Sequence, residues 1–168
     1  VVTGIDMAPC QIFLNDGKAS FRFHGTFGEI SSVRSLTLTD IDQDGDPDIL
    51  ITCRGRSNQI CLNDGAANFP ETLTFGTQTD STIDVEVGDV DGDGLDDMLV
   101  GSDSAYLVYG DFTSSADINV AGIEFVPDHL HGKTPGWTDG GGDFDGDGLS
   151  DIILGAATNG GYGYVMLG

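Results

Sequence analysis

The chain has 168 residues and a mass of 17.6 kDa, long enough for one domain with a real core. Six Lys plus Arg stand against 28 Asp plus Glu, a formal charge of -22, which disfavours nucleic acid and anionic membrane surfaces as partners. Because 39% of the residues are apolar and clustered, and no apolar stretch nears the roughly 20 residues of a membrane span, the composition excludes an acidic disordered tail and argues against membrane insertion.

Val1 stands at the start with no Met and no signal-peptide pattern, so the sequence reads as a mature product or a fragment. Self-alignment favours the fragment. "CQIFLNDGKASF" at 10–21 matches "NQICLNDGAANF" at 58–69, an offset of 48, and acidic stretches begin at Asp40, Asp89 and Asp143, offsets of 49 and 54. On this alignment Val1 and Val2 correspond to Ile49 and Leu50. A unit near 50 residues recurs.

Four short strands are predicted in each unit. "SLTLTD" and "STIDVEVGD" alternate apolar and polar residues, the period of a half-buried strand, while "DILIT", "DMLVG" and "DIILG" are short apolar runs suited to strands covered on both faces. A third strand follows as "QICLND", "AYLVYG" or "GYVMLG", and a fourth as "ASFRF", "ETLTF" or "GIEFV". Gly, Asn, Asp and Ser mark the junctions and no segment sustains helical periodicity. Four antiparallel strands per unit describe a β-propeller blade, so the expected fold is all-β. The expected divisions are an incomplete blade at 1–27, blades at 28–76 and 77–125, and an incomplete blade at 126–168. That is about three and a half blades, and the ring is expected to be completed by another copy, another chain or missing sequence. Ile12, Leu14, Val165 and Leu167 are expected on uncovered faces.

The chain's 24 aspartates outnumber its four glutamates, and 14 of them lie in "DIDQDGDPDIL", "DVDGDGLDDMLV" and "DFDGDGLSDIIL". Each stretch reads D-x-D-x-D-G-x-x-D. Carboxylates fall at positions 1, 3, 5 and 9: Asp40, Asp42, Asp44 and Asp48; Asp89, Asp91, Asp93 and Asp97; Asp143, Asp145, Asp147 and Asp151. Gly45, Gly94 and Gly148 at position 6 permit a sharp turn, and Asp46, Leu95 and Leu149 at position 7 offer a backbone carbonyl. Crowded oxygens of like charge suit Ca²⁺, whereas Zn²⁺ would want His or Cys, so three calcium sites are expected. An EF-hand would need Glu at position 12, where Ile51, Val100 and Leu154 stand, and flanking helices. Lying in separate blades, the sites are expected to act independently.

Other residues are less specific. Cys53 and Cys61 are symmetric about Ser57 and form either a disulfide or two buried thiols. His129 and His131 share a strand face without a third metal ligand. Arg54 and Arg56 supply a third of the basic residues and either receive an acidic ligand or offset local acidity. Trp137 reads as packing.

The loops, "LNDG" after the third strand and "GDFDGDGLSDIILGAATNGGYGYVMLG" resemble the FG-GAP and VCBS repeats of integrin alpha-subunit propellers and their relatives. Gly136 and Trp137 stand at the "FG" element, Gly155, Ala156 and Ala157 at "GAP", and Asp139 where Leu36 and Val85 suggest an inward apolar residue. The resemblance implies an extracellular propeller of about seven blades, with calcium loops joining first and second strands opposite the ligand face. The function expected is a non-catalytic binding or adhesion module for protein or glycan, with ligand contacts around Arg54, Arg56, Thr79 and His129. The alternative is an accessory propeller of a secreted polysaccharide-degrading or phospholipase-like enzyme. No nucleophile, acid and base come together in the sequence, so the chain itself is expected not to be an enzyme.

Overall fold

Strand pairing follows the patterning. In the computed structural model, which describes residues 1–4, 7–110, 112, 122–125, 137–156 and 161–168, all regular structure is β. The first sheet holds β1 (Val2–Thr3), β2 (Ala8–Asn15) and β3 (Phe21–Ser31). The second holds β4 (Val33–Thr39), β5 (Asp48–Cys53), β6 (Asn58–Leu62) and β7 (Glu71–Phe75). The third holds β8 (Asp84–Gly88), β9 (Asp97–Gly101), β10 (Ala105–Val108) and β11 (Gly122–Phe125), and the last β12 (Trp137–Gly142), β13 (Asp151–Ala156) and β14 (Tyr162–Met166). Strands are neighbours in chain order and antiparallel throughout, as in partial β-propeller blades.

Among the described residues, three apolar cores lie between these four sheets. β5 and β9 are buried along their whole length because each of their faces meets a different sheet. Ile49, Ile51 and Cys53 pack with Cys10, Ile12 and Phe27 of the first sheet, and Leu50, Ile60 and Phe75 pack with Val85, Met98 and Val100 of the third. Leu99 and Leu107 in turn meet Ile152 and Leu154 of the last. The inner strands β4, β8 and β12 stand side by side, and Thr37 Oγ1 donates to the Val85 carbonyl at 2.7 Å.

Two local expectations change, and one left open between two readings is decided. Ile12 is buried and Leu14 packs beside it, so the large apolar side chains exposed on the strands of the first sheet are Phe21, Phe23 and Ile30; Val165 and Leu167 are exposed, with Ile153, on the last. Asp139 is displaced from the inward position by a bulge between Gly140 and Gly142. Thr138 pairs with Leu154 as Leu36 pairs with Ile51 and Val85 with Val100, and it is Thr138 that is buried. Finally, Cys53 and Cys61 are buried thiols. The β5–β6 register pairs Ile49 with Cys61, which centres the hairpin on Gly55 (φ 69°) and leaves Cys53 and Cys61 offset along it.

Candidate metal centres

Each acidic loop joins the first and second strands of its sheet, so the sequence that leaves an inner strand must turn back within eight residues. The turn is held by its own carboxylates. The position-1 side chain accepts from the position-6 glycine: Gly45 N to Asp40 Oδ2 at 3.1 Å, Gly94 N to Asp89 Oδ2 at 3.0 Å and Gly148 N to Asp143 Oδ2 at 3.0 Å. Asp42, Asp91 and Asp145 at position 3 each accept from the position-5 N–H at 3.2 Å. Asp44, Asp93 and Asp147 at position 5 accept from the N–H of Asp46, Leu95 and Leu149 at 2.8–2.9 Å. Position 6 lies at φ 90–95° in all three loops, where glycine alone sits without strain.

Position 9 has a second task. Asp48, Asp97 and Asp151 are buried at the start of the second strand, and each clamps two chain segments. One oxygen accepts from position 2 of the loop, from Ile41 at 3.1 Å, Val90 at 2.8 Å and Phe144 at 2.5 Å. The other accepts from the residue that leaves the third strand, from Asn63 and Gly110 at 2.8 Å and Gly168 at 3.0 Å. Burial pushes the Asp48 and Asp97 carboxyls above their ordinary 3.8, the two N–H donors pull them back, and the position-3 and position-5 carboxylates add to the rise. The Gly168 N–H, by contrast, holds Asp151 below 3.8.

These restraints bring carboxylates at positions 1, 3 and 9 together. Oxygens of Asp40, Asp42 and Asp48, of Asp89, Asp91 and Asp97, and of Asp143, Asp145 and Asp151 lie within 4.8 Å of one another in each loop. Asp44, Asp93 and Asp147 stand outside these triads, engaged by the position-7 N–H groups. Position 7 rests against the turn after the third strand: a Cβ at Gly65 would lie 2.6 Å from Asp46 Oδ2, one at Gly110 2.6 Å from Leu95 Cβ, and one at Gly168 2.7 Å from Leu149 Cβ. Converging anionic oxygens without a cation repel, and Asp40 Oδ1 is buried with no hydrogen-bond partner. The donor set and the orphaned oxygen fit a hard divalent cation.

Arg54 and Arg56 are exposed at the opposite end of β5 from Asp48. Thr79 lies at the same end, since Gly55 N donates to the Asp80 carbonyl at 2.6 Å and Arg54 bridges to Ser81. His129 and His131 fall outside the described residues. The position-2 and third-strand N–H groups that hold position 9 are not apparent from the D-x-D-x-D-G-x-x-D spacing. Their signal is indirect: a glycine 15 to 19 residues after position 7 recurs as Gly65, Gly110 and Gly168.

Residues 40–100, spanning the first two loops and the strands between them, match the FG-GAP-like repeat. Searches of curated proteins and of solved structures gave no match.

Proposed function

We propose, starting from an FG-GAP-like repeat in propeller-type sheets, that the three loops are calcium sites and that the chain is an extracellular binding or adhesion module without catalytic activity. The observation that carries this reading is the threefold recurrence of a carboxylate triad, with Asp40 Oδ1 of the first buried and unpaired. Bound calcium would supply two positive charges to each loop and take its coordination shell from the loop's own oxygens. Asp40, Asp42 and Asp48 and their counterparts would hold it directly, with Asp44, Asp93 and Asp147 closing the shell and the position-7 carbonyls of Asp46, Leu95 and Leu149 beside them.

In this reading the loops act on stability. Each triad opposes its own closure through like-charge repulsion, and a cation removes that opposition, stabilising the fold by about 2.7 kcal/mol per site when free calcium is a hundredfold above Kd. The face bearing Arg54, Arg56 and Thr79 lies away from the cation loops and is the one proposed to meet a protein or glycan. A basic pair on a chain of charge -22 favours an acidic ligand group there. Exposed Phe21 and Phe23 at one end, and Ile153, Val165 and Leu167 at the other, suit packing against further blades from another copy, another chain or additional sequence.

Thermal unfolding in calcium, in magnesium and in chelator tests the cation reading. Calcium should raise the midpoint well above the other two, and equal midpoints in all three would refute it. Binding of the calcium-loaded chain to sulfated glycans and acidic peptides should weaken in Arg54→Ala/Arg56→Ala. No binding to either class in the unsubstituted chain would refute the proposed ligand face.

A further inference from the structure

The structure ties the three loops to one another. Thr39, immediately before Asp40, donates Oγ1 to Asp96 Oδ2 at 2.6 Å, and Gln43 Nε2 donates to the Gly94 carbonyl at 2.5 Å. Asp96 precedes Asp97 and Gly94 follows Asp93, so both bonds grip the second loop next to its own carboxylates. The second loop is joined to the third at a similar place. Ser150 N, beside Asp151, donates to the Asp89 carbonyl at 2.9 Å, and Gly92 sits so close that a Cβ there would stand 2.7 Å from Leu149 Cδ2.

Position 2 strengthens the connection. Ile41, flanked by Asp40 and Asp42, is only 5% exposed and lies in the core shared with Val85 and Met98 of the third sheet. Val90, between Asp89 and Asp91, packs into the core shared with Ile152 and Leu154 of the last. Phe144, the third equivalent, is 78% exposed. The backbone that carries positions 1 and 3 is thus anchored in the neighbouring sheet for the first two loops.

We infer that the loops form one coupled row, in which filling one with calcium raises the affinity of the loop beside it; this rests on the calcium reading. Closing a triad fixes the backbone between positions 1 and 9. A neighbour bonded to that backbone then loses less freedom when its own triad closes, which is positive coupling through ordering. Repulsion between ions in adjacent loops acts the other way. Neighbouring sheets stand about 10 Å apart, beyond the Debye length of about 8 Å at physiological ionic strength, so for exposed loops this repulsion is largely screened. Two hydrogen bonds and a shared core then dominate at the first pair of loops.

The test follows the amide resonances of Gly45, Gly94 and Gly148, one per loop, in the full chain during calcium titration at physiological salt. Asp42→Ala disables the first loop and should raise the calcium midpoint at Gly94 by about fivefold or more, the lower range of measured site couplings. Thr39→Val/Gln43→Gly cuts the bonds and replaces none of the triad carboxylates. Gln43 has φ 58° where the other loops carry Gly92 and Gly146, so glycine fits the turn. In that background Gly45 and Gly94 should both still titrate, and adding Asp42→Ala should move Gly94 clearly less, by what the Ile41 core contact alone transmits. A Gly94 midpoint indifferent to Asp42→Ala in the otherwise unsubstituted chain overturns the coupling and leaves the calcium reading standing. No calcium response at any of the three glycines overturns the calcium reading itself, and the coupling with it. If Asp42→Ala does not fold, Thr39→Val/Gln43→Gly decides alone. Cutting the bonds should raise the calcium midpoint at Gly94 above that of the unsubstituted chain, and midpoints the same in both proteins overturn the coupling.

Discussion

Replacing Asp97 by Asn keeps the shape of a buried clamp and removes its charge. Both Asp97 oxygens accept from backbone, from Val90 and Gly110 at 2.8 Å, and an amide can accept at only one end. Its NH₂ then faces an N–H, leaving a buried donor unpaired at a cost of about 1–3 kcal/mol. Part of this is offset in chelator, since burial and the nearby Asp91 and Asp93 already disfavour the Asp97 charge, so about 1 kcal/mol is expected there. In calcium the variant also loses one cation's contribution, about 2.7 kcal/mol at a hundredfold excess, for a total near 4 kcal/mol. At about 2–4 °C per kcal/mol, Asp97→Asn should lower Tm by roughly 2–4 °C in chelator and roughly 8–16 °C in calcium. Circular dichroism melts of both proteins under both conditions measure the four midpoints. Equal losses in the two conditions would show that Asp97 is a structural clamp alone, and the cation account of the loops would fail.

The loops should also reverse the pH dependence of stability according to whether calcium is present. In chelator, the raised carboxyls of Asp48 and Asp97 favour the folded state fully below 3.8, and that stability is lost as pH rises through their higher folded values. Asp151 has a lowered value, so its contribution is present above 3.8 and is lost on going below it, outside this window. Above pH 3.8 the chelated protein should therefore lose stability with rising pH until both groups are ionised in the folded chain. In calcium it should gain, because protons compete with the cation; urea titrations that slope the same way in both would contradict this. Gly110→Ala places a Cβ 2.6 Å from Leu95 Cβ and 3.2 Å from the Asp96 carbonyl. It should cost about 1–3 kcal/mol through overpacking and weaken calcium binding at the second loop first, and a neutral melt with unchanged affinity would show that this contact is not needed.

Much of this was legible because a blade is built from local patterns. β5 and β9 announce themselves as continuous apolar runs, and the D-x-D-x-D-G-x-x-D spacing marks the turns between first and second strands. The misplaced details come from relations that span strands. Gapless counting back from Asp143 puts Asp139 inward, yet the extra residue bulged out between Gly140 and Gly142 shifts the register by one and turns Thr138 inward. Symmetry of Cys53 and Cys61 about Ser57 suggests a facing pair, but the hairpin turns at Gly55. The bonds from Thr39 and Gln43 to the second loop join residues 57 and 51 positions apart, and no pattern within one repeat encodes them. They depend on how sheets stack. The paired N–H groups on position 9 are hidden for the same reason, since backbone donors leave no mark in a motif of side chains.

The central claim is that each acidic loop holds one calcium ion. Isothermal titration of the chelator-stripped chain with calcium measures this directly. The account predicts three ions per chain, falling to two in Asp93→Ala; an unsubstituted chain that takes up none, or a variant whose stoichiometry is unchanged, would contradict it.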